Sequence, residues 1–206
     1  MTLRPEDLRI YHITHLENLN GILAAGGLWS DAIVARQNPA VIGYEHIKQR
    51  RLNEIRVPCS GNRFVGEFVP FYFCPRSPML YTINVGGTGL PRGCQSSIIH
   101  LVSRVSIAVS LGTPWAISDG NAGAYHTSFY DQLSALDDID WDAIRTDSWQ
   151  GKTHQKAAEF LAADTYSWSA FEEIGCENEK TASEVEQLLI GQKHQPRVTV
   201  QRAWYY

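Results

Sequence analysis

The chain has 206 residues, a formal net charge of −4, 44% hydrophobic and 19% charged residues, a balance that describes one globular domain over residues 1–206 and excludes a disordered segment. Cys59, Cys74, Cys94 and Cys176 form no C-x-x-C pair and have no histidine at ligand spacing, so neither a metal site nor a dithiol redox pair is expected. The N-terminus lacks the apolar stretch of a signal peptide, and no run approaches the ~18 apolar residues that cross a bilayer, so the expectation is a soluble, cytoplasmic protein without a membrane partner.

In chain order, Tyr11-His12-Ile13-Thr14 closes a short strand and opens a helix. Thr14 and Glu17 have the spacing of a capping box at that junction. Leu16, Leu19, Ile22 and Leu23 form an apolar stripe along the helix, and Gly26-Gly27 are able to end it. A strand-to-helix turn presents backbone N–H groups and the positive end of a helix dipole, which suits an anionic ligand; His12 and Thr14 stand at its mouth. The same pattern also fits an ordinary capped core helix.

If residues 44–53 form a helix, Arg51 lies four residues after Ile47 and faces the body, whereas Arg50 lies four before Glu54 and pairs with it at the surface. Residues 1–103 hold 10 Lys/Arg against 7 Asp/Glu, and residues 104–206 hold 8 against 15. Lys48, Arg50, Arg51, Arg56, Arg63 and Arg76 thus form a local basic stretch, read either as a solvated face or as a phosphate-facing patch. Val69 to Cys74 reads as a strand whose Pro70 suits an edge or a strand start, and Ser97 to Ser103 as a buried strand. Residues 84–93, with four glycines and a proline, read as a loop, and Asp119 to Gly123 as a turn. Tyr125 to Leu136 is read as a helix.

An acidic segment from Leu136 to Thr153 leads into Ala157-Ala158-Glu159-Phe160-Leu161-Ala162, a short apolar strand with one carboxylate inside it. A lone buried carboxylate is costly unless paired or working. It either points outward or pairs with a neighbour such as Lys156, or it holds a ribose hydroxyl and stabilises positive charge developing on a sugar carbon. The chain ends with a helix whose Ser183 and Glu186 have capping-box spacing, and with a strand from Arg197 to Val200. The 22 aromatic residues serve both core packing and base stacking, and the sequence does not divide the two uses.

The runs Ile10-Tyr-His-Ile-Thr-His-Leu-Glu-Asn-Leu-Asn-Gly-Ile-Leu23, Ile47-Lys-Gln-Arg-Arg51, Val69-Pro-Phe-Tyr-Phe-Cys-Pro-Arg-Ser-Pro-Met-Leu-Tyr81 and Ala158-Glu-Phe-Leu161 resemble the DarT family of DNA ADP-ribosyltransferase toxins, from near residue 8 to near residue 200. The resemblance implies an α+β ADP-ribosyltransferase-like fold, a central split β-sheet flanked by helices. It implies cleavage of NAD, as a co-substrate, and transfer of ADP-ribose to a base of single-stranded DNA, with thymidine the expected acceptor and guanosine used in another branch. Carried over residue by residue, Glu159 and Arg51 are the catalytic pair, and His12, Thr14, Gly21 and Arg51 hold NAD. Lys48, Arg50, Arg76, Trp149 and His154 are the candidate DNA contacts. The acidic segment before Glu159 corresponds to the loop that shapes the acceptor surface, and a macrodomain antitoxin, DarG, is the implied partner. Two other readings stay open at this stage: an NAD-dependent transferase acting on RNA or protein, and an inactive module that binds single-stranded nucleic acid.

Overall fold

The computed structural model describes residue 4 and residues 8–34, 45–89 and 91–206. Along the chain lie β1 (Arg9–His15), α1 (Leu19–Ala24), β2 (Gly27–Trp29), α2 (Asp31–Val34), α3 (Glu45–Asn53), β3 (Arg56–Val57), β4 (Arg63–Phe64), β5 (Phe68–Tyr72) and α4 (Pro78–Asn84). There follow β6 (Ile98–Arg104), α5 (Val105–Ser110), β7 (Trp115–Asn121), β8 (Phe129–Tyr130), α6 (Trp141–Arg145), α7 (Thr153–Lys156), β9 (Ala158–Ala163), β10 (Thr165–Ser167), β11 (Glu173–Cys176), α8 (Glu179–Leu189) and β12 (Arg197–Val200). Among the described residues an eight-stranded sheet runs β12-β11-β6-β1-β5-β9-β7-β8, and β10-β2 and β3-β4 form two small ribbons.

The sheet is split in its middle. β1 pairs with β6 along its whole length, from Arg9 opposite Arg104 to His15 opposite Ile98, but meets β5 only at Tyr11 opposite Tyr72. Pro70 sits at this seam. Its carbonyl turns toward β1, where the His12 ring donates to it, and in a strand the N–H of a residue points the same way as its C=O. The donor that proline lacks is therefore one the seam does not need. The expectation that Val69 to Cys74 is an edge strand or a strand start is corrected on this ground: β5 is central, paired with β9 from Phe68 opposite Ala163 to Tyr72 opposite Glu159.

Strand alternation sorts the side chains. Phe71, Phe160, Ile117, Leu101 and Ile174 enter the main core with Tyr166 and Phe171, while Phe68, Leu161, Ala163 and Ala116 pack on the opposite face with Val57 and Val65. Gly27 is required where β2 meets β10: its φ is +150°, and an added Cβ would collide with the Tyr166 carbonyl.

Other boundaries shift for local reasons. Thr14 does not cap the first helix, because it and His15 remain in β1 opposite Ile99 and Ile98. The cap passes to His15, whose ring accepts from the Glu17 N–H at 3.3 Å. The helix expected over 44–53 is present as α3, with Tyr44 and the Ile47 side chain outside the described residues. The turn expected at Asp119 to Gly123 belongs largely to β7, and the helix expected over Tyr125 to Leu136 is replaced by β8 and a 3₁₀ turn at Leu133–Asp138. Phe129 and Tyr130 instead pair with Ser118 and Ile117, closing the outer edge of β7. The acidic 136–153 segment carries α6, capped by the Asp140 carboxylate on the Ala143 N–H at 2.8 Å. The cap of the last helix lies five residues before Ser183, at Asn178, which accepts from the Thr181 N–H. The strand expected at Arg197 to Val200 is β12, parallel to β11.

His100, in the middle of β6, is fully buried between the Pro75 carbonyl, to which Nε2 donates at 3.0 Å, and the Tyr205 hydroxyl at 3.1 Å from Nδ1. Burial lowers its pKa to about 4, against the opposing pull of the Pro75 carbonyl. The unfolded chain then binds a proton that the native state refuses between the ordinary histidine value near 6.5 and about 4. Stability is therefore fully present above pH 6.5 and falls as pH drops through this window, by about 3 kcal/mol in total. Urea unfolding at pH 7 and pH 4.5 should show this loss, and His100→Gln should remove most of its pH dependence; an equal acid loss in the variant would sink the assignment.

Candidate active site

Glu159 points from β9 to the face it shares with Tyr72 and is 2% exposed. Arg51 reaches it from the last turn of α3, with Nη1 3.0 Å from Oε2 and 3.2 Å from Oε1. The Ala122 N–H donates to Oε1 at 3.2 Å, and the Ser118 hydroxyl receives the Glu159 N–H at 3.0 Å and donates to the Gly120 carbonyl at 2.7 Å. The carboxylate is thus fixed from α3 and from the turn after β7, while among the described residues Oε2 carries only the arginine contact and keeps acceptor capacity. The alternative pairing with Lys156 does not occur: that ammonium donates to the Ile144 and Thr146 carbonyls at 2.9 and 2.8 Å.

Burial opposes the charge of Arg51, but Glu159 and then Asp31 outweigh it and hold the guanidinium pKa above its ordinary value. Its Nη2 is buried and has no hydrogen-bond partner among the described residues, so one donor of the guanidinium is unused. Burial, and next the Glu159 charge, raise the Tyr72 hydroxyl, so it stays protonated beside the carboxylate.

His12 stands at the seam, its ring packed edge-on to Phe71 and its Nδ1 2.8 Å from the Pro70 carbonyl. A carbonyl only accepts, so Nδ1 carries the proton. Burial lowers the pKa of the ring, keeping it neutral, with Nε2 as an acceptor suited to a hydroxyl. Asp31 and Arg51 both act on this ring electrostatically, which ties it to the Glu159 cluster. Thr14 lies two residues on, buried, its hydroxyl accepting from Asn18 Nδ2 at 3.1 Å. Gly21 sits exposed on α1, with open space where a side chain would be.

The basic and aromatic candidates separate into groups. Lys48 is 3.3 Å from Asp31, on the His12 side. Arg50 does not pair with Glu54. It donates to the Gly123 carbonyl and lies over the Tyr125 ring, 4.9 Å from the centroid, while the Tyr125 hydroxyl takes the Glu54 carboxylate. Arg50 therefore braces the 121–125 turn that supplies the Ala122 N–H. His154 lies across Gly120, where any Cβ would strike its ring, and against His126 with ring centroids 4.2 Å apart. Arg76 and Trp149 lie further out: Arg76 is 2.8 Å from Asp147 and over the Tyr206 ring, and Trp149 meets Tyr81 edge-on at 5.4 Å.

Sequence reasoning missed Tyr72, Ser118, Ala122, Asp31 and the Gly123 carbonyl. Tyr72 had a signal in its strand neighbours. Ser118 and the two backbone groups had none, since their role comes from the register of β7 on β9. Arg50→Ala should slow turnover by about tenfold, the worth of one charge-assisted bond, and less than Arg51→Ala. Equal losses in initial-rate assays of the two variants would contradict this division of labour.

Comparison with known proteins gives a consistent result. Residues 11–206 match the family described as DarT, ssDNA thymidine ADP-ribosyltransferase. A "DNA ADP-ribosyl transferase" of Thermus sp. (strain 2.9) is 38% identical over 98% of both chains. A "DNA ADP-ribosyl transferase-DNA ADP-ribosyl glycohydrolase fusion protein" of Thermosipho africanus is 31% identical over 61% of this chain and 30% of its own. The structure of Thermus sp. 2.9 DarT in complex with ADP-ribosylated ssDNA superposes with a TM-score of 0.90 at 37% identity, covering 100% of this chain and 99% of the other. That of the same Thermus protein in complex with NAD+ gives 0.88 at 34%, with both chains fully covered.

Proposed function

The chain belongs to the DarT family, and from that premise we propose that it cleaves NAD and transfers ADP-ribose to thymidine in single-stranded DNA, acting as the toxin of a toxin–antitoxin pair. The observation that carries the reading is the buried Arg51–Glu159 pair, held by Ala122 and Ser118 beside the seam where His12 stands. In this reading His12 and Thr14 engage NAD from β1, with Gly21 leaving room on α1. Glu159 accepts a ribose hydroxyl through Oε2 and stabilises the positive charge that builds on the anomeric carbon as its bond to nicotinamide breaks. Nicotinamide leaves with the bonding electrons, the thymine base supplies the new bond to that carbon, and the base gives up its proton. Arg51 pairs with the Glu159 carboxylate and offers its unpartnered Nη2 to the incoming substrates.

Lys48, Arg50, Arg76, Trp149 and His154 are proposed to serve the DNA side, with Lys48 and Arg50 acting mainly by shaping the site. A macrodomain antitoxin that removes the modification is the proposed partner, supported by the glycohydrolase fused to the Thermosipho africanus relative. Among the described residues no helix is long and apolar enough to cross a membrane, and the proposed place of action is the cytoplasm.

Incubation with labelled NAD and separate pools of single-stranded DNA, matched duplex, RNA and protein tests the reading. Label should enter single-stranded DNA, and duplex should be modified at least tenfold more slowly, because extruding a paired base costs a few kcal/mol. Label in RNA or protein alone favours the alternative transferase, and binding without transfer favours an inactive module.

A further inference from the structure

Beyond the Tyr72–Glu159 pair, on the side away from His12 and Thr14, the chain forms a cleft of about 250 Å³ lined by Phe73, Cys74, Arg76, Arg145, Asp147 and Lys156 among others. Its lining joins apolar Phe73 and Ile144 to the cationic Arg76, Arg145 and Lys156. This stands out against a C-terminal half that holds 8 basic and 15 acidic residues. Arg145 lies exposed over the Trp141 ring with no carboxylate partner among the described residues, and the buried Lys156 ammonium uses two of its three N–H groups on carbonyls. The Nε of Arg76 is buried without a hydrogen-bond partner among the described residues. The one anion present is Asp147, 2.8 Å from Arg76, with its side chain 78% exposed. Such an exposed pair is weak, so little opposes its exchange for another anion.

We propose that this cleft is a phosphate subsite for the acceptor strand, and that Asp147 is its resident anion, displaced from Arg76 when the strand binds. The proposal rests on the reading that the chain modifies single-stranded DNA. Two observations favour the acceptor strand over the diphosphate of NAD. First, β1 and β5 are antiparallel with Tyr11 opposite Tyr72, so His12 and Thr14 lie toward Pro70 and Phe68, whereas the cleft begins past Tyr72 at the other end of β5. Second, the cleft adjoins a cluster of rings in which Arg76 covers Tyr206, Tyr206 meets Tyr81 at 5.1 Å, and Tyr81 meets Trp149 at 5.4 Å. Cationic grooves bordered by aromatic rings are how single strands are held: phosphates in the groove, bases on the rings.

The test is a set of thymidine-containing single-stranded oligonucleotides, each with one phosphate replaced by a neutral methylphosphonate, titrated by fluorescence anisotropy against wild type, Arg76→Gln, Arg145→Gln and Asp147→Asn. In wild type one linkage should weaken binding by about tenfold when neutralised, the scale of one charge-assisted contact. Arg76→Gln and Arg145→Gln should reduce that penalty to less than about threefold, and Asp147→Asn should tighten binding of the all-phosphate strand while leaving binding of that neutralised strand unchanged. The KM for NAD should stay at the wild-type value in all three variants. The same penalty in wild type and both arginine variants, or no gain from Asp147→Asn, overturns the subsite. A raised KM for NAD with unchanged strand binding overturns it in favour of the dinucleotide diphosphate. Transfer by wild type to the all-phosphate strand is read in the same series, so a failure of the proposed activity is seen separately from a failure of the subsite.

Discussion

Glu159→Gln should lower transfer to single-stranded DNA by at least about a hundredfold while the variant stays folded and still binds NAD. In the proposed reaction the carboxylate acts mainly where charge develops in the transition state, so its removal should cost rate more than ground-state binding. Glutamine is the informative replacement. It keeps one oxygen for the Arg51 Nη1 and Ala122 N–H donors, which reach the carboxylate at 3.0 to 3.2 Å, and replaces the other oxygen and the negative charge by a neutral amide NH2 of nearly the same size. Alanine would also leave a guanidinium buried without its partner, so a loss of activity there would be mixed with a loss of stability. Near-full activity of Glu159→Gln, measured by nicotinamide release in the presence of a thymidine oligonucleotide, would remove this carboxylate from the chemistry.

Arg51→Ala should abolish transfer and also destabilise the fold by about 3–5 kcal/mol, because it strands the Glu159 carboxylate in the interior. The two effects have different remedies. In the double variant Arg51→Met, Glu159→Leu both charges are gone, and the desolvation cost they shared disappears with them; stability should return to within about 1 kcal/mol of wild type or exceed it, with transfer still absent. Urea unfolding of the three proteins measures the first quantity and the labelled-NAD assay the second. Equal destabilisation in the single and double variants would mean that the pair contributes through packing rather than charge.

The sequence shows the Arg51–Glu159 pair in outline only. Helical spacing separates Arg51 from Arg50, and a carboxylate inside an apolar strand marks Glu159, but their meeting across 108 residues depends on how α3 packs on the 65–67 turn, where Gly66 leaves room for Leu52. Local patterns fail where tertiary pairing overrides them. Thr14 loses its capping role because β6 extends β1 by two pairs, and the segment from Tyr125 to Leu136 gives up helical spacing because β7 needs a partner on its outer edge. Pro70 misleads for a related reason. A proline excludes a strand interior only when its N–H is wanted, and whether β1 and β5 part at that point is a property of the sheet rather than of the residues flanking Pro70. The backbone groups at the site, the Ala122 N–H and the Gly123 carbonyl, carry no side-chain signature at all. The strand that places them, and the Arg50 that braces them, become meaningful only in the folded chain.

The central claim is that this chain joins ADP-ribose to a thymine base with Glu159 in the chemical step. It is tested most directly by mass spectrometry of a single-stranded oligonucleotide holding one thymidine, incubated with NAD and either wild type or Glu159→Gln. Wild type should give one ADP-ribose adduct that fragments to a modified thymine, with nicotinamide released in equal amount, and Glu159→Gln should give none on the same timescale. An adduct on another base or on the protein, or an equal yield from Glu159→Gln, would contradict it.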